Sequence, residues 1–451
     1  MEGNIGFLSV VPIIIVIILA VWTKRTMASL VIGGLVAAIV GYGIHFFYPW
    51  TDALYVPLAD GTWEWMALVC GLFGSMVGLF HKANCITSFA DIAYKFANTR
   101  RKSLVATFIL GCVVFVDDWL DVLITGHAMM PVTDKNNVPR EKLAYIITAH
   151  CCNLCTLVPF STWTAFYIGQ YEDNGICAKG EGFATYVHSI PLFFFPIISL
   201  IICLLICLGW FPLYGPMKTA VKRAREGQVL PDGADLNAEA PAEFAAKGSS
   251  AWNFVIPIVV LAVITIITQE ILYGIIIGLA VCAVMYFPQR LMNYSEFCVA
   301  MMDGFKDMIG VIGIVYAAFV LKALNLHNGM ADYIIGLVEG NISPQVLPAV
   351  SFVIMSCLVF AAGNFWGMVA ISFPVIAPIG LAAGANMMLI ASSVVCGTAV
   401  GATACFYASE VSLTCAVTNV PNSTYAKTSI PLIAPAFVLS FICFLIAGFA
   451  M

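Results

Sequence analysis

Three carboxylates lie within an otherwise apolar stretch at residues 113–132, VVFVDDWLDVLITGHAMMPV. They belong to Asp117, Asp118 and Asp121. A charged side chain at the centre of a bilayer costs on the order of 2.5–3.5 kcal/mol on insertion scales, and intramembrane acids usually bind ions or protons. We predict that Asp117 and Asp118 bind sodium and/or protons, the alternative being structural pairing with a buried base such as Lys322. Asp121, one helical turn after Asp117, either joins this site or reaches interfacial water.

A second group of polar side chains surrounds Pro159 in the apolar segment 143–169. A proline inside a helix frees a backbone carbonyl, and irregular, oxygen-rich backbone within a membrane suits a hard monovalent cation. Hydrogen bonding between helices would explain the same hydroxyl groups without an ion. Both interpretations stay open for Thr156, Ser161 and Thr162.

The second half of the chain offers residues suited to an organic ligand. The stretch FAAGNFWG places an asparagine next to glycine, where backbone can approach a ligand closely, and two aromatic residues follow. Glu410, further along the chain, either neutralises a second cation or a cationic solute or lies in water near the end of its segment. The candidate substrate-binding residues are Trp163, Asn364, Phe365, Trp366, Ser409 and Glu410.

The elements that position these residues are predicted to be membrane helices. Of the 451 residues, 61% are hydrophobic and 10% are charged, whereas soluble domains carry about 25% charged residues. Two apolar segments, 103–131 and 345–378, exceed the roughly 20 residues of a single crossing and are interrupted by VDDWLD and AAGN. About ten further segments are each long enough for a full span: 8–22, 26–47, 62–81, 143–169, 189–211, 252–268, 271–287, 308–326, 387–413 and 430–449.

Basic residues flank the segment 103–131 on both sides, at 100–102 and at 135–142. Cytoplasmic loops carry an excess of Lys and Arg, so a re-entrant hairpin that returns both clusters to the cytoplasm is favoured over a full crossing. If both interrupted segments are hairpins, all of the 20 Lys and Arg residues except Lys179 and Lys322 lie on the cytoplasmic face or at its edge. Both chain termini are then external.

The two halves of the chain follow the same plan. Each has an odd number of crossings plus one hairpin, so the second half enters the membrane in the opposite orientation, as in secondary transporters built from inverted repeats. The predicted fold is an all-α polytopic membrane protein with hairpins and broken helices. Its parts are a first repeat over 1–211 (hairpin 103–131, broken span 143–169), a cytoplasmic linker over 212–250, and a second repeat over 251–451 (hairpin 345–378, broken span 387–413).

The stretch FVDDWLDVLITG, followed by MMPVTDKNNVPREKLAYII and PFSTW, resembles the NhaC-type sodium/proton antiporters of the ion-transporter superfamily. The resemblance is dense over residues 115–163 and looser over FAAGNFWGMVAISFPVIAP. It implies a cation-coupled transporter that works by an elevator-like or rocking motion. Sodium would lie near Asp117, Asp118 and residues 161–163.

The chain departs from the family pattern at several positions. Asp121 stands where the family has Asn, and Met130 where it has Arg. In the second half, GATACFYASEVSL places Ala402 and Ser409 where the family has aspartates. Half of the acidic site implied by the resemblance is therefore missing.

Two functions remain open on this basis. The resemblance implies sodium/proton exchange, in which the pair Asp117 and Asp118 alternates between sodium and protons. The vacated acidic positions and nearby aromatic residues suit instead a sodium- or proton-coupled transporter of a small organic solute, such as an amino acid, a carboxylate or an amine. A channel or sensor is disfavoured because repeats with paired hairpins serve alternating access. An intramembrane aspartyl protease is disfavoured because its two acids would lie on separate helices.

The remaining expectations follow from these hypotheses. The protein is predicted to be a transporter of the cell membrane and not an enzyme, with a lipid bilayer and a small solute or ion as its partners and with no nucleic acid. Sodium and/or protons are the coupling ions, and no organic cofactor is expected. The sequence leaves the oligomeric state open, with a homodimer as one option.

Overall fold

The computed structural model describes residues 5–23, 25–85, 97–231, 249–268, 270–330, 333, 343–363, 365–406 and 408–451. Within these ranges every regular element is a helix, which confirms the predicted all-α class. One candidate substrate residue, Asn364, lies outside the described residues.

Among the described residues, ten α-helices precede the predicted linker. They are α1 Val11–Thr23, α2 Thr26–Tyr42, α3 Phe47–Ala53, α4 Gly61–Ala83, α5 Arg100–Val113, α6 Asp118–Lys135, α7 Arg140–Leu157, α8 Thr162–Asp173, α9 Gly182–Ser189 and α10 Phe194–Leu208. The described part of the linker contains one more, α11 Gly215–Arg225. The second half contributes α12 Trp252–Thr268, α13 Ile271–Tyr286, α14 Tyr294–His327, α15 Leu347–Ala362, α16 Phe365–Ala382, α17 Met387–Ala404, α18 Ser409–Thr418 and α19 Asn422–Ala450.

The helices are long and apolar enough for a multi-pass membrane protein. Six pass a test of length and hydropathy for a single crossing, and two bent pairs raise the number to as many as eight among the described residues. Helices also occupy the predicted spans near 8–22, 252–268 and 271–287, but they are shorter. One helix is longer than its predicted span over 308–326: α14 begins at Tyr294, where Asn293 and Glu296 form a capping box.

The segment predicted as the first hairpin folds back on itself. Helices α5 and α6 are separated by a break at 114–117, and their far ends lie side by side. Nε of Arg100 donates to the carbonyl of Asn136 at 3.2 Å, and Nδ2 of Asn136 donates to the carbonyl of Ala97 at 2.9 Å. The two basic clusters that flank this segment are therefore neighbours in the folded chain.

Both predicted broken spans are interrupted by short non-helical segments. Helices α7 and α8 meet at an angle of 46° across residues 158–161, and α17 and α18 are separated by residues 405–408. A turn at Gly363, with φ of 67° in the left-handed region that glycine adopts without strain, separates α15 from α16. Each half of the chain thus contains two helices separated by a break, followed by a second pair of helices that is also separated by a break.

Helices α4 and α14 form a closely packed pair beside these broken elements. A Cβ atom added to Gly304 would lie 2.1 Å from the carbonyl oxygen of Gly74, and one added to Gly78 would lie 2.5 Å from the carbonyl oxygen of Ala300. Small residues at such a crossing let two helix backbones approach, which is a common basis of helix association in membranes. This pair forms one wall of the cavity described next.

Candidate functional site

A cavity of about 1000 Å³ lies where the helix breaks meet the α4–α14 pair. Its lining combines the first turn of α6, the turn between α15 and α16, the first turn of α18, and one face each of α4 and α14. Several helix ends thus converge on one space, although they are far apart in the sequence. The cavity contains both acids of the predicted cation site, Asp117 and Asp118, together with Glu410 from the second half.

Asp117 is fixed at the start of α6 by hydrogen bonds from both sides. Its Oδ1 accepts a hydrogen bond from the backbone N–H of Leu120 at 3.0 Å, as expected of a residue that caps a helix. Its Oδ2 accepts one from the hydroxyl of Thr162 at 3.2 Å. The backbone N–H of Thr162 in turn donates to the carbonyl of Val116 at 3.1 Å. These contacts join the break of the first hairpin to the break between α7 and α8.

Asp118 and Glu410 each present a buried carboxylate oxygen that lacks a hydrogen-bond partner. Asp118 is 2% exposed, and its Oδ2 is unpaired within the described part of the chain. Glu410 is 1% exposed, so it does not lie in open water; its Oε2 is likewise unpaired there. Its Oε1 accepts hydrogen bonds from Ser409 Oγ at 2.6 Å and from Trp119 Nε1 at 3.4 Å. Buried polar atoms normally have partners, so these two oxygens point to a ligand.

The structure places Asp121 away from the cavity, against another helix. Nδ1 of His150 lies 2.7 Å from Oδ2 of Asp121, and the hydroxyl of Thr125 donates to Oδ1 at 2.7 Å. Both side chains of the Asp121–His150 pair are 0% exposed. Lys322, considered above as a structural partner for the acids, instead pairs with Asp173 at 2.7 Å.

Two further candidate cation ligands take part in the hydrogen bonding of the α7–α8 break. The hydroxyl of Thr156 donates to the carbonyl of Cys152 at 2.8 Å, within its own helix. The hydroxyl of Ser161 donates to the carbonyl of Cys155 and accepts from the backbone N–H of Thr164 at 3.1 Å, so that it caps α8. Thr162 is the one hydroxyl of the three predicted that contacts a cavity carboxylate.

Aromatic residues from the two halves form one wall of the site. The rings of Trp163 and Phe365 stack with their centroids 4.2 Å apart, and Phe166 meets Trp366 edge to face at 4.8 Å. Phe365 and Trp366 line the cavity, whereas Trp163 is fully buried behind them and does not. Ser409 is exposed on the cavity wall beside Glu410.

The sequence reasoning missed the acids that α14 contributes to the cavity. Glu296, Asp303 and Asp307 all line it, and Asp307 is close enough to interact electrostatically with Asp117. The spacing of Asp303 and Asp307, four residues apart on a helix, could have indicated a shared face. These acids precede the predicted span over 308–326, so hydropathy assigned them to a loop.

No metal cluster accompanies these acids. In the ranges described above, no three His, Cys, Asp or Glu side chains are grouped closely enough to hold a metal ion. A bound sodium ion would therefore need oxygen ligands from hydroxyl groups, backbone or water in addition to carboxylates, the kind of ligand that hard cations take.

A sequence model of the Na+/H+ antiporter family matches residues 154–449. The chain belongs to the Na+/H+ antiporter family. This membership confirms the resemblance noted in the sequence, and it makes the protein a transporter and not an enzyme. The family match also includes the second-half motif in which Ala402 and Ser409 depart from the expected pattern.

Two further comparisons cover nearly the whole chain. An uncharacterized protein of Haemophilus influenzae is 25% identical, covering 98% of this chain and 91% of that protein. The fold is similar to that of MtrF of Neisseria gonorrhoeae, whose structure was described as illuminating a class of antimetabolite efflux pumps; the TM-score is 0.53, with 13% identity and 94% of each chain covered. At that identity the likeness shows the fold alone. The family membership is what supports a cation-coupled transporter.

Proposed function

We propose that this antiporter-family protein exchanges sodium for protons at Asp117 and Asp118, with Glu410 as the acid of the second half. The observation that carries the proposal is that two residues lining the cavity, Asp118 and Glu410, each have a buried carboxylate oxygen, Oδ2 and Oε2 respectively, without a hydrogen-bond partner among the described residues. Glu410 immediately follows Ser409, one of the positions where an aspartate of the family is missing. A neighbouring residue thus supplies the missing negative charge.

Exchange follows from competition for the same oxygens. A buried carboxylate loses hydration, and neighbouring carboxylates repel one another, so a proton or a cation must neutralise the group. The partial positive charge at the starts of α6 and α18 offsets part of the cost of burying the carboxylates of Asp118 and Glu410, which can then accept a cation. Because sodium and protons satisfy the same carboxylates, binding of one releases the other. Thr162, held by Asp117, offers a further oxygen ligand.

The same proposal includes a membrane arrangement. Re-entrant hairpins at 103–131 and 345–378, about ten full spans and inverted repeats are supported by the repeated order of broken helices and by the meeting of residues 97–100 with Asn136. We place the protein in the cell membrane with both termini external, because this arrangement leaves nearly all Lys and Arg residues on the cytoplasmic side. A homodimer remains a proposal that rests on no contact within this chain.

The test is neutralisation of the acid pair. We expect Asp117→Asn and Asp118→Asn to abolish sodium-dependent thermal stabilisation and sodium/proton exchange in proteoliposomes, because each change removes a charge but keeps the side-chain shape. Asp52→Asn, at an exposed acid of α3, is the matched control and should retain both properties. Exchange that survives in both pair variants would show that the cation binds elsewhere.

A second candidate function, cation-driven transport of a small organic solute, is favoured by the volume of the cavity. Pockets of roughly 300–1,000 Å³ bind drug-sized ligands, whereas a water molecule occupies about 30 Å³ and a sodium ion with a few waters fills only part of such a space. A cavity of about 1000 Å³ therefore leaves room for a solute beside the ion. The chemistry of its walls narrows the class of solute.

A further inference from the structure

We infer that the cavity binds an organic ammonium cation, with its nitrogen among the carboxylates of Asp118, Glu410 and Asp307 and its apolar part against Phe365 and Trp366. This inference rests on the proposed cation-coupled transport and identifies the class of solute. The ammonium site differs from the proposed sodium site because it also includes Asp307 of α14 and the aromatic residues Phe365 and Trp366.

The charged residues of the lining favour a cation over an anion. Among the described residues that line the cavity, six carry a carboxyl group and two, His81 and Lys82, are basic. Both basic residues lie in the last turn of α4, beside the start of α14. An anionic solute would have to approach several carboxylates, which like-charge repulsion disfavours.

Not all of these acids are available to a solute. Asp303 pairs with Lys306 at 2.9 Å, and Glu296 accepts the backbone N–H of Asn293 at 2.8 Å as part of the helix cap. Asp307 has no ion-pair partner among the described residues. It therefore joins the unpaired oxygens of Asp118 and Glu410 as a group that an ammonium nitrogen can satisfy.

The aromatic wall suits the carbon part of such a solute. Phe365 and Trp366 lie 4.5 Å apart between ring centroids and are held from behind by Trp163 and Phe166. Trp119 lines the cavity beside Glu410, to which its indole N–H donates. Aromatic faces attract ammonium groups through the ring quadrupole, tryptophan most strongly. Rigid rings next to an unpaired carboxylate are the combination found in sites for amines.

The test uses benzylammonium, whose N–H groups can donate to the unpaired carboxylate oxygens and whose ring can contact the aromatic wall, with benzenesulfonate as the anion of similar size. Calorimetric titration of the purified full-length protein should show saturable binding of the ammonium probe and none of the sulfonate. Glu410→Gln, Asp307→Asn and Trp366→Ala should each weaken the ammonium affinity by about tenfold or more. Trp252→Ala is the control for loss of a tryptophan, because Trp252 is 65% exposed on α12 and does not line the cavity.

Asp307→Asn keeps the test decisive if Trp366→Ala does not fold, because Asp307 lies on an exposed helix face. Equal binding of both probes, or no binding of the ammonium probe by a protein that is still stabilised by sodium, overturns the inference and leaves the exchange proposal intact. Ammonium affinity that Asp307→Asn and Glu410→Gln both leave unchanged also overturns it. Ammonium binding by a protein with no response to sodium supports the inference and contradicts sodium exchange.

Discussion

Asp118 and Asp121 are three residues apart on α6, yet their carboxylates have different environments. Asp118 lines the cavity and has an unpaired oxygen, whereas both oxygens of Asp121 are satisfied by Thr125 and His150. A buried group with partners is more consistent with a structural role than with a binding role. Asp121 therefore holds α6 against α7 behind the cation site.

Loss of His150 should consequently affect stability. His150→Ala leaves a buried carboxylate with one hydroxyl partner and should reduce the free energy of unfolding by about 3–5 kcal/mol, as found when one member of a buried pair is removed. Thermal unfolding in detergent measures the effect. His188→Ala, at an exposed histidine of α9, should leave the melting temperature nearly unchanged. Equal melting temperatures for the two variants would refute the structural role.

At the level of residues, the sequence predicted some of the acids that line the cavity. Asp117, Asp118 and Glu410 were predictable because an acid in an apolar segment is costly without a ligand or partner. The pairing of Asp121 was not, since His150 lies 29 positions away and only the packing of α6 on α7 brings them together. Asp307 was missed because the polar start of α14 lowers its average hydropathy.

The helices that carry these residues depend on short polar breaks. Asp117 caps α6, Ser161 caps α8 and Asn386 caps α17, because the side-chain oxygen of each accepts hydrogen bonds from backbone N–H groups in the first turn of its helix. Such caps satisfy the first N–H groups of a helix, which would otherwise be costly to bury in a membrane. The breaks were predictable from polar residues within apolar runs. Their convergence on one cavity was not, because it depends on how the two halves pack.

The packing of α4 on α14 should be sensitive to a single methyl group. Gly304→Ala places a Cβ 2.1 Å from the carbonyl oxygen of Gly74, so the helices must separate, at a cost of about 1–3 kcal/mol. Gly310→Ala is the matched control, because no atom lies within 4 Å of its added Cβ. Alanine favours a helix over glycine by about 1 kcal/mol, so this control should be neutral or slightly stabilising.

Thermal unfolding of both variants in the same detergent distinguishes the two effects. A lower melting temperature is expected for Gly304→Ala alone. If Gly304→Ala and Gly310→Ala change the melting temperature equally, close packing of the α4 and α14 backbones does not depend on Gly304.

For the molecule as a whole, the two ends of α14 have different surroundings. The cavity extends along α14 from Ser295 to Ile314, whereas Lys322 near the other end pairs with Asp173 of α8. At 1.5 Å per residue, Lys322 lies about 40 Å from Ser295 along the helix axis. An ion pair between α14 and α8 thus joins these helices beyond the end of the cavity. This arrangement is compatible with a transporter that exposes its site to one side at a time.

Topology is the property of the whole molecule that the charge pattern predicted most directly. The pattern places residues 100–102 and 135–142 on one face, and the hydrogen bonds from Arg100 and Asn136 bring these ends together. Two segments in contact cannot lie on opposite sides of a bilayer. We therefore expect the cysteines of Asn98→Cys and Asn137→Cys to be accessible from the same side of the membrane. Both positions are exposed and neutral, so the substitutions leave the pattern of basic residues unchanged.

An impermeant maleimide applied to intact cells measures this directly. Cysteines at 98 and 137 should react only after the membrane is permeabilised, whereas Ala178→Cys, in the exposed loop after α8, should react in intact cells. The parent protein, with its own cysteines, provides the background. Labelling of 98 and 137 from opposite sides would contradict the hairpin. Labelling of both from outside would keep the hairpin but reverse the orientation.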